Sequence, residues 1–166
     1  MNYFYWDASA LVKRYAPELG TPLVNHLFVH GMLDRMMCLI IGVGEVISIF
    51  VRKKNTKLIT DAAFVQALVD FRAEVMDTVA FKLVSVEDAL VVASYPLIER
   101  YSLNATDAVV LRSVLDVAAV LRSAGDDVIL VKSDLRLLHA AQGEGVTTFN
   151  PEAGLQAQLD ALISGI

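Results

Sequence analysis

Short apolar runs alternate with stretches of helical spacing along the whole chain. Residues 3–6 are an aromatic run ending in Asp7, and residues 9–15 read as one or two helical turns stopped by Pro17. Leu23, Leu27 and His30 give residues 20–33 a helical spacing, whereas 36–41 are continuously apolar, as in a strand buried on both faces. Glu45 is expected to open a helix over 43–54, and Thr60 with Asp61 forms a capping pair for a long helix to about residue 79. Residues 81–86 read as a third strand. Residues 87–101 are helical, with Pro96 expected to kink or divide them. Asn104 looks like the N-cap of the next helix, which puts Asp107 in its first turn. A fourth strand over 128–131, a helix over 133–142 and a fifth strand over 146–149 precede Pro151. Leu155, Leu159, Leu162 and Ile166 then recur at the spacing of an amphipathic helix.

This alternation predicts an α/β fold with a mainly parallel five-stranded sheet wrapped by helices. No linker, low-complexity stretch or internal repeat divides it, so a single domain is expected over 1–150, with 151–166 docking on it or on a partner. At 166 residues the chain can bury a core without disulfides or structural metal. Its 55% hydrophobic content and mean hydropathy of +0.53 exceed what one small core needs, which implies apolar surface covered by a partner. The longest apolar run, eight residues over 36–43, is far short of the roughly 18 that span a bilayer. With no basic region before an apolar segment at the N-terminus and a single cysteine, Cys38, the expected location is the cytoplasm. The net charge of −5 argues against a uniformly basic nucleic-acid coat.

In open parallel sheets ligands bind beyond the carboxyl ends of the strands. Asp7 follows the first predicted strand, Glu45 the second and Asp134 the fourth, so three crossovers deliver an acid to one edge. Asp107 arrives from a helix N-terminus, whose partial positive charge favours a carboxylate. Asp126 and Asp127 precede their strand and fall at the opposite edge, while Asp116 is half a turn round its helix from Asp107. Four carboxylates in one pocket cannot all stay ionised without a positive charge among them. Oxygen-only ligands favour Mg²⁺ or Mn²⁺ over zinc, and such ions activate water at a phosphodiester. Taken singly, Asp7 could be a helix cap, and Glu45 and Asp107 partners of a helix dipole.

Four segments carry a family resemblance. Tyr-Trp-Asp-Ala-Ser-Ala-Leu-Val-Lys at the start, Gly-Glu-Val-Ile-Ser, Leu-Asn-Ala-Thr-Asp-Ala-Val-Val-Leu, and Val-Lys-Ser-Asp-Leu-Arg-Leu-Leu followed by Gly-Val-Thr-Thr-Phe-Asn-Pro together resemble PIN domains, especially VapC-type toxins. The resemblance implies a three-layer α/β/α sandwich, Mg²⁺-dependent ribonuclease activity, a homodimer and an antitoxin partner. It assigns Asp7, Glu45, Asp107 and Asp134 as catalytic metal ligands and Ser9 as the accompanying hydroxyl. Lys13 and Arg14, close to Asp7 in sequence, are candidate contacts to RNA phosphate.

Two features depart from the family pattern. Lys132 stands two residues before the fourth acid, where Thr or Ser is usual, and an ammonium there would compete with metal. The stretch between Asp107 and Asp134 is also longer than usual. Lys132 motivates the alternative of a non-catalytic PIN-like module that binds RNA or protein. Arg52, Lys53, Lys54 and Lys57 read as a solvated helix end, with contact to RNA phosphate the alternative, several turns away from Glu45, and His26 with His30 lack an evident third ligand for zinc. A dehalogenase-like phosphatase would need a second aspartate at the position of Ser9.

Overall fold

The computed structural model describes residues 1–165. Its centre is an all-parallel sheet of β1 (Asn2–Trp6), β2 (Met36–Leu39), β3 (Lys82–Val84), β4 (Asp127–Val131) and β5 (Thr147–Phe149), in the spatial order β3-β2-β1-β4-β5. Parallel strands need crossovers, and helices supply them. The helices are α1 (Ala8–Leu11), α2 (Thr21–His30), α3 (Ile40–Asn55), α4 (Asp61–Phe71), α5 (Asp88–Tyr101), α6 (Ala105–Ser123), α7 (Leu135–Gly143) and α8 (Gln156–Ser164).

Alternation along each strand divides the core into two. Phe4, Trp6, Met36, Cys38, Ile129 and Val131 face α1 to α4 and α8, where Phe50 and Phe71 fill the interior. Tyr5, Met37, Leu39, Val128 and Leu130 face the opposite way, onto α5, α6 and α7. Both faces are therefore dry, which is why the strands read as unbroken apolar runs. This is the three-layer α/β/α arrangement expected of the chain. The helices are all too short or too polar to cross a membrane among the described residues.

Several boundaries differ from expectation. The second strand ends at Leu39, and α3 begins at once with Ile40, so Glu45 lies in the second turn instead of opening the helix. An apolar run that changes from strand to helix without a polar break gives no sequence signal at the junction. Helix α4 gives way to a π-helical turn over Arg72–Met76 and does not continue to residue 79. Pro96 does not divide α5. Its missing N–H falls on the exposed face, opposite the exposed Val92, where water can take the orphaned carbonyl. Ile166 of the expected C-terminal amphipathic pattern lies outside the described residues; of the rest, Leu159 is buried and Leu162 packs on the core, while Leu155 is 71% exposed.

The C-terminal segment is fastened to the body at several points. Asn2 donates to the Leu162 carbonyl at 2.9 Å, and His26 and Asp160 are 2.8 Å apart. Gly20, at φ +90°, lies so close to this segment that an added Cβ would come within 2.8 Å of the Pro151 carbonyl oxygen. Left-handed backbone and the approach of Pro151 both demand glycine there. Gly20→Ala is expected to destabilise the fold by about 2 kcal/mol or more, measured as a lower midpoint in urea unfolding. An unchanged midpoint would mean that this approach is looser than described.

Candidate functional site

The strand order reverses at β1, because the chain builds outward to β3 and then crosses over to start β4 on the other side. A crevice forms at such a switch point, beyond the carboxyl ends of β1 and β4. Here it is an open cleft of about 970 Å³ lined by Asp7, Ser9, Glu45, Arg52, Asn104, Asp107, Lys132 and Asp134, among others. Each acid reaches it by a different local device.

Asp7 directly follows β1, and its N–H continues the sheet by donating to the Val131 carbonyl at 3.0 Å. Its carboxylate caps α1, accepting the Ser9 N–H at 2.9 Å and the Ser9 hydroxyl at 2.7 Å. Asp107 lies in the first turn of α6, where Asn104 is the cap: the Asp107 N–H donates to Asn104 Oδ1 at 2.8 Å, and Asn104 Nδ2 donates to Asp107 Oδ2 at 2.7 Å. Asp134 caps α7 by accepting the N–H groups of Arg136 and Leu137, which holds its carboxylate on its own helix at the exposed rim. Glu45 projects from the second turn of α3 and caps nothing.

The cation among these groups belongs to the protein. Lys132 lies one residue past β4 with its side chain only 6% exposed, and its Nζ is 2.8 Å from Asp107 Oδ1 and 3.1 Å from Asp7 Oδ2. Burial pulls the ammonium towards its neutral form, but Asp7 and Asp107 more than offset this and raise its pKa. For Glu45 the balance is different. Burial first, and then the neighbouring charge of Asp7, push its carboxyl above the ordinary glutamate range.

All four predicted acids and Ser9 thus line one cleft, but they do not converge equally. Among the described residues no three acidic, histidine or cysteine side chains form a ready-made metal cluster. Lys132 separates Asp7 from Asp107, and Asp134 is turned onto its helix. The donor chemistry nevertheless fits a hard divalent ion, since every ligand on offer is oxygen and the carboxylates outnumber the single ammonium.

Lys13 and Arg14 do not reach the cleft, contrary to expectation. Lys13 is buried between Glu18 at 2.7 Å and Glu152 at 2.6 Å, and Arg14 grips Glu74 at 2.9 Å and Asn25 at 3.1 Å. Proximity in sequence misleads because both residues lie past α1, in a 3-10 turn over Val12–Arg14, where Glu18, Glu152 and Glu74 engage them. Besides Lys132, the basic residue that lines the cleft is Arg52. Its spacing of seven from Glu45 places it about 20° round the helix from that acid, a signal present in the sequence. Lys53 instead pairs with Glu18 and Lys54 with Asp61.

Fold and site together define an α/β/α domain with an acid-lined cleft at its topological switch point. No protein-family model and no curated protein matches the chain. Solved structures share its fold. PAE2754 from Pyrobaculum aerophilum is 19% identical and aligns over 98% of this chain and 96% of its own, with a TM-score of 0.61. FitAB, solved bound to an IR36 DNA fragment, is 15% identical over 92% of this chain and 98% of its own, with a TM-score of 0.61. FitAcB from Neisseria gonorrhoeae is 16% identical over 91% and 99%, with a TM-score of 0.60. Each likeness is full-length and structural.

A glutamate whose pKa is higher folded than unfolded holds its proton more tightly in the folded chain, so its ionisation weakens the fold. Glu45→Gln is therefore expected to raise the melting temperature at neutral pH. The gain should vanish below about pH 4.3, where the acid is protonated in both states. Melts of both proteins across this range check the sign, and a variant less stable at neutral pH would reverse it.

Proposed function

We propose that this chain is a PIN-type ribonuclease of the VapC kind, a Mg²⁺- or Mn²⁺-dependent endoribonuclease acting in the cytoplasm as the toxin of a toxin-antitoxin pair. The observation that carries this reading is the delivery of Asp7, Glu45, Asp107 and Asp134 to one cleft by four different elements. Packing alone gives no reason to gather like charges there. Asp7, Glu45 and Asp107 would hold the metal, with Asp134 at the rim. Once bound, the ion supplies an activated water and charge stabilisation at a phosphodiester.

The chain's own residues account for orientation. Ser9 fixes Asp7 through two hydrogen bonds, and Asn104 fixes Asp107 through another two, so neither carboxylate has to be ordered when substrate arrives. Arg52 offers a guanidinium at the cleft wall for a backbone phosphate. The charged side chains of the lining, a single arginine among them, suit a sugar-phosphate chain better than an apolar ligand. Val65 and Val69, one turn apart on α4 and 58% and 56% exposed, are part of the apolar surface that a homodimer or an antitoxin would cover. The likeness to FitAB, solved bound to a DNA fragment, supports a protein partner for this fold.

A second reading keeps the fold and discards turnover: a non-catalytic PIN-like module that binds RNA or protein. The ion pairs of Lys132 with Asp7 and Asp107 favour it. Cleavage decides between the two. Purified protein is expected to cut structured RNA with Mg²⁺ and to stop on addition of EDTA. Asp7→Asn/Asp107→Asn should lower the rate by two orders of magnitude or more, roughly the loss of several kcal/mol of transition-state stabilisation. Binding of RNA without cutting at any Mg²⁺ concentration would select the module, and equal cutting by the double variant would remove the proposed site.

A further inference from the structure

Lys132 is the charged group of the cleft that the proposed reaction does not use. Its backbone is anchored by donation to the Phe149 carbonyl at 3.1 Å, and its stem runs inside the protein until the ammonium meets Asp107 and Asp7. Few lysines are so deeply placed, because burying an ammonium is tolerated only beside compensating carboxylates. The compensation is mutual. Asp7 is 6% and Asp107 13% exposed at the side chain, so the two acids are as dependent on Lys132 as it is on them. A divalent ion shared by Asp7 and Asp107 would sit beside the ammonium that already bridges them and would be repelled by its charge.

Resting on the metal-dependent reading above, we infer that Lys132 is a tethered counter-ion: its ammonium holds the cation position between Asp7 and Asp107, and divalent metal enters the cleft only in exchange for it. Asp7 and Asp107 then cannot serve the lysine and a metal ion at once. Glu45, which faces the pair without an ion-pair partner among the described residues, is left to attract the incoming ion. The natural chain consequently takes up metal weakly, and its occupancy follows the ambient concentration of divalent ion. In effect, the chain carries its own inhibitor of metal loading.

Mn²⁺ is the probe, added to the full-length protein at one fixed near-neutral pH, with uptake followed by calorimetry and by the spin-resonance signal of the free ion. Lys132→Met and Lys132→Ser are expected to bind Mn²⁺ roughly tenfold or more tightly than wild type, because removal of an adjacent like charge favours the bound cation. Lys132→Arg, which retains the charge, should gain nothing. Without metal, Lys132→Met should melt below wild type, since its buried carboxylates have lost their partner, and Mn²⁺ should raise its melting temperature by more than it raises that of wild type. Should Lys132→Met fail to fold alone, refolding that requires Mn²⁺ supports the same exchange, and refolding indifferent to Mn²⁺ overturns it. Equal affinity in wild type and Lys132→Met overturns the exchange while leaving a metal site in place. No uptake by any of these proteins removes the metal-dependent reading and the exchange with it. Uptake by the neutral variants alone, with none by wild type at any concentration, overturns the exchange: Lys132 then blocks the metal outright, which also counts against metal-dependent turnover in the natural chain.

Discussion

Carboxylates gathered in a partly dry cleft repel one another, and everything else about this molecule's working end is arranged around that repulsion. In water two such charges at contact distance interact by about 1 kcal/mol, but the figure rises several-fold as the surroundings become less polar. The chain answers in three ways. Helix N-termini supply partial positive charge to Asp7, Asp107 and Asp134. Hydrogen bonds from Ser9 and Asn104 spread the charge of two of them. Lys132 places a full positive charge between those same two. Glu45 caps no helix and has no ion-pair partner among the described residues; burial and the charge of Asp7 raise its pKa although Lys132 and Arg52 oppose them.

The sheet makes this gathering possible. With β1 in the middle and the order reversing beside it, the loops after β1 and β4 diverge to opposite faces and leave a gap between them. Two dry faces hold that geometry rigid: Tyr5 bonds Ser113 at 2.8 Å on one side, while the Trp6 ring packs tilted against Phe28 on the other. On the cleft's flank, Lys13, Lys53, Glu18 and Glu152 tie the turn after α1, the end of α3 and the loop after β5 into one ionic knot. Lys13, which looked like a substrate contact, is therefore engaged in structural ion pairs.

The alternation of strands and helices was legible from periodicity, because strands buried on both faces are continuously apolar and helices are not. Asn104 and Thr60 announced their helices, as capping depends on the local residue type and little else. The start of α3 was illegible, since Leu39, Ile40 and Ile41 are equally apolar on both sides of the junction. The positions of the acids followed from strand ends, but their partners did not. That Lys132 turns inward to Asp107 depends on a contact across 25 residues, which no local pattern encodes. Lys13 and Arg14 were misplaced for the same reason: Glu152 and Glu74 lie far off in sequence.

Three of the acids have a second occupation. Asp7 and Asp134 start helices, and Asp107 completes the hydrogen-bonded turn that Asn104 begins. A descendant of this chain that had given up all chemistry would still be under selection to keep them, merely to remain folded. Glu45 has no such protection, as it starts no helix and its charge is a burden to the fold. Of the four acids it is therefore the one whose replacement the fold would tolerate most easily, so a glutamate at that one position answers to chemistry more than to shape.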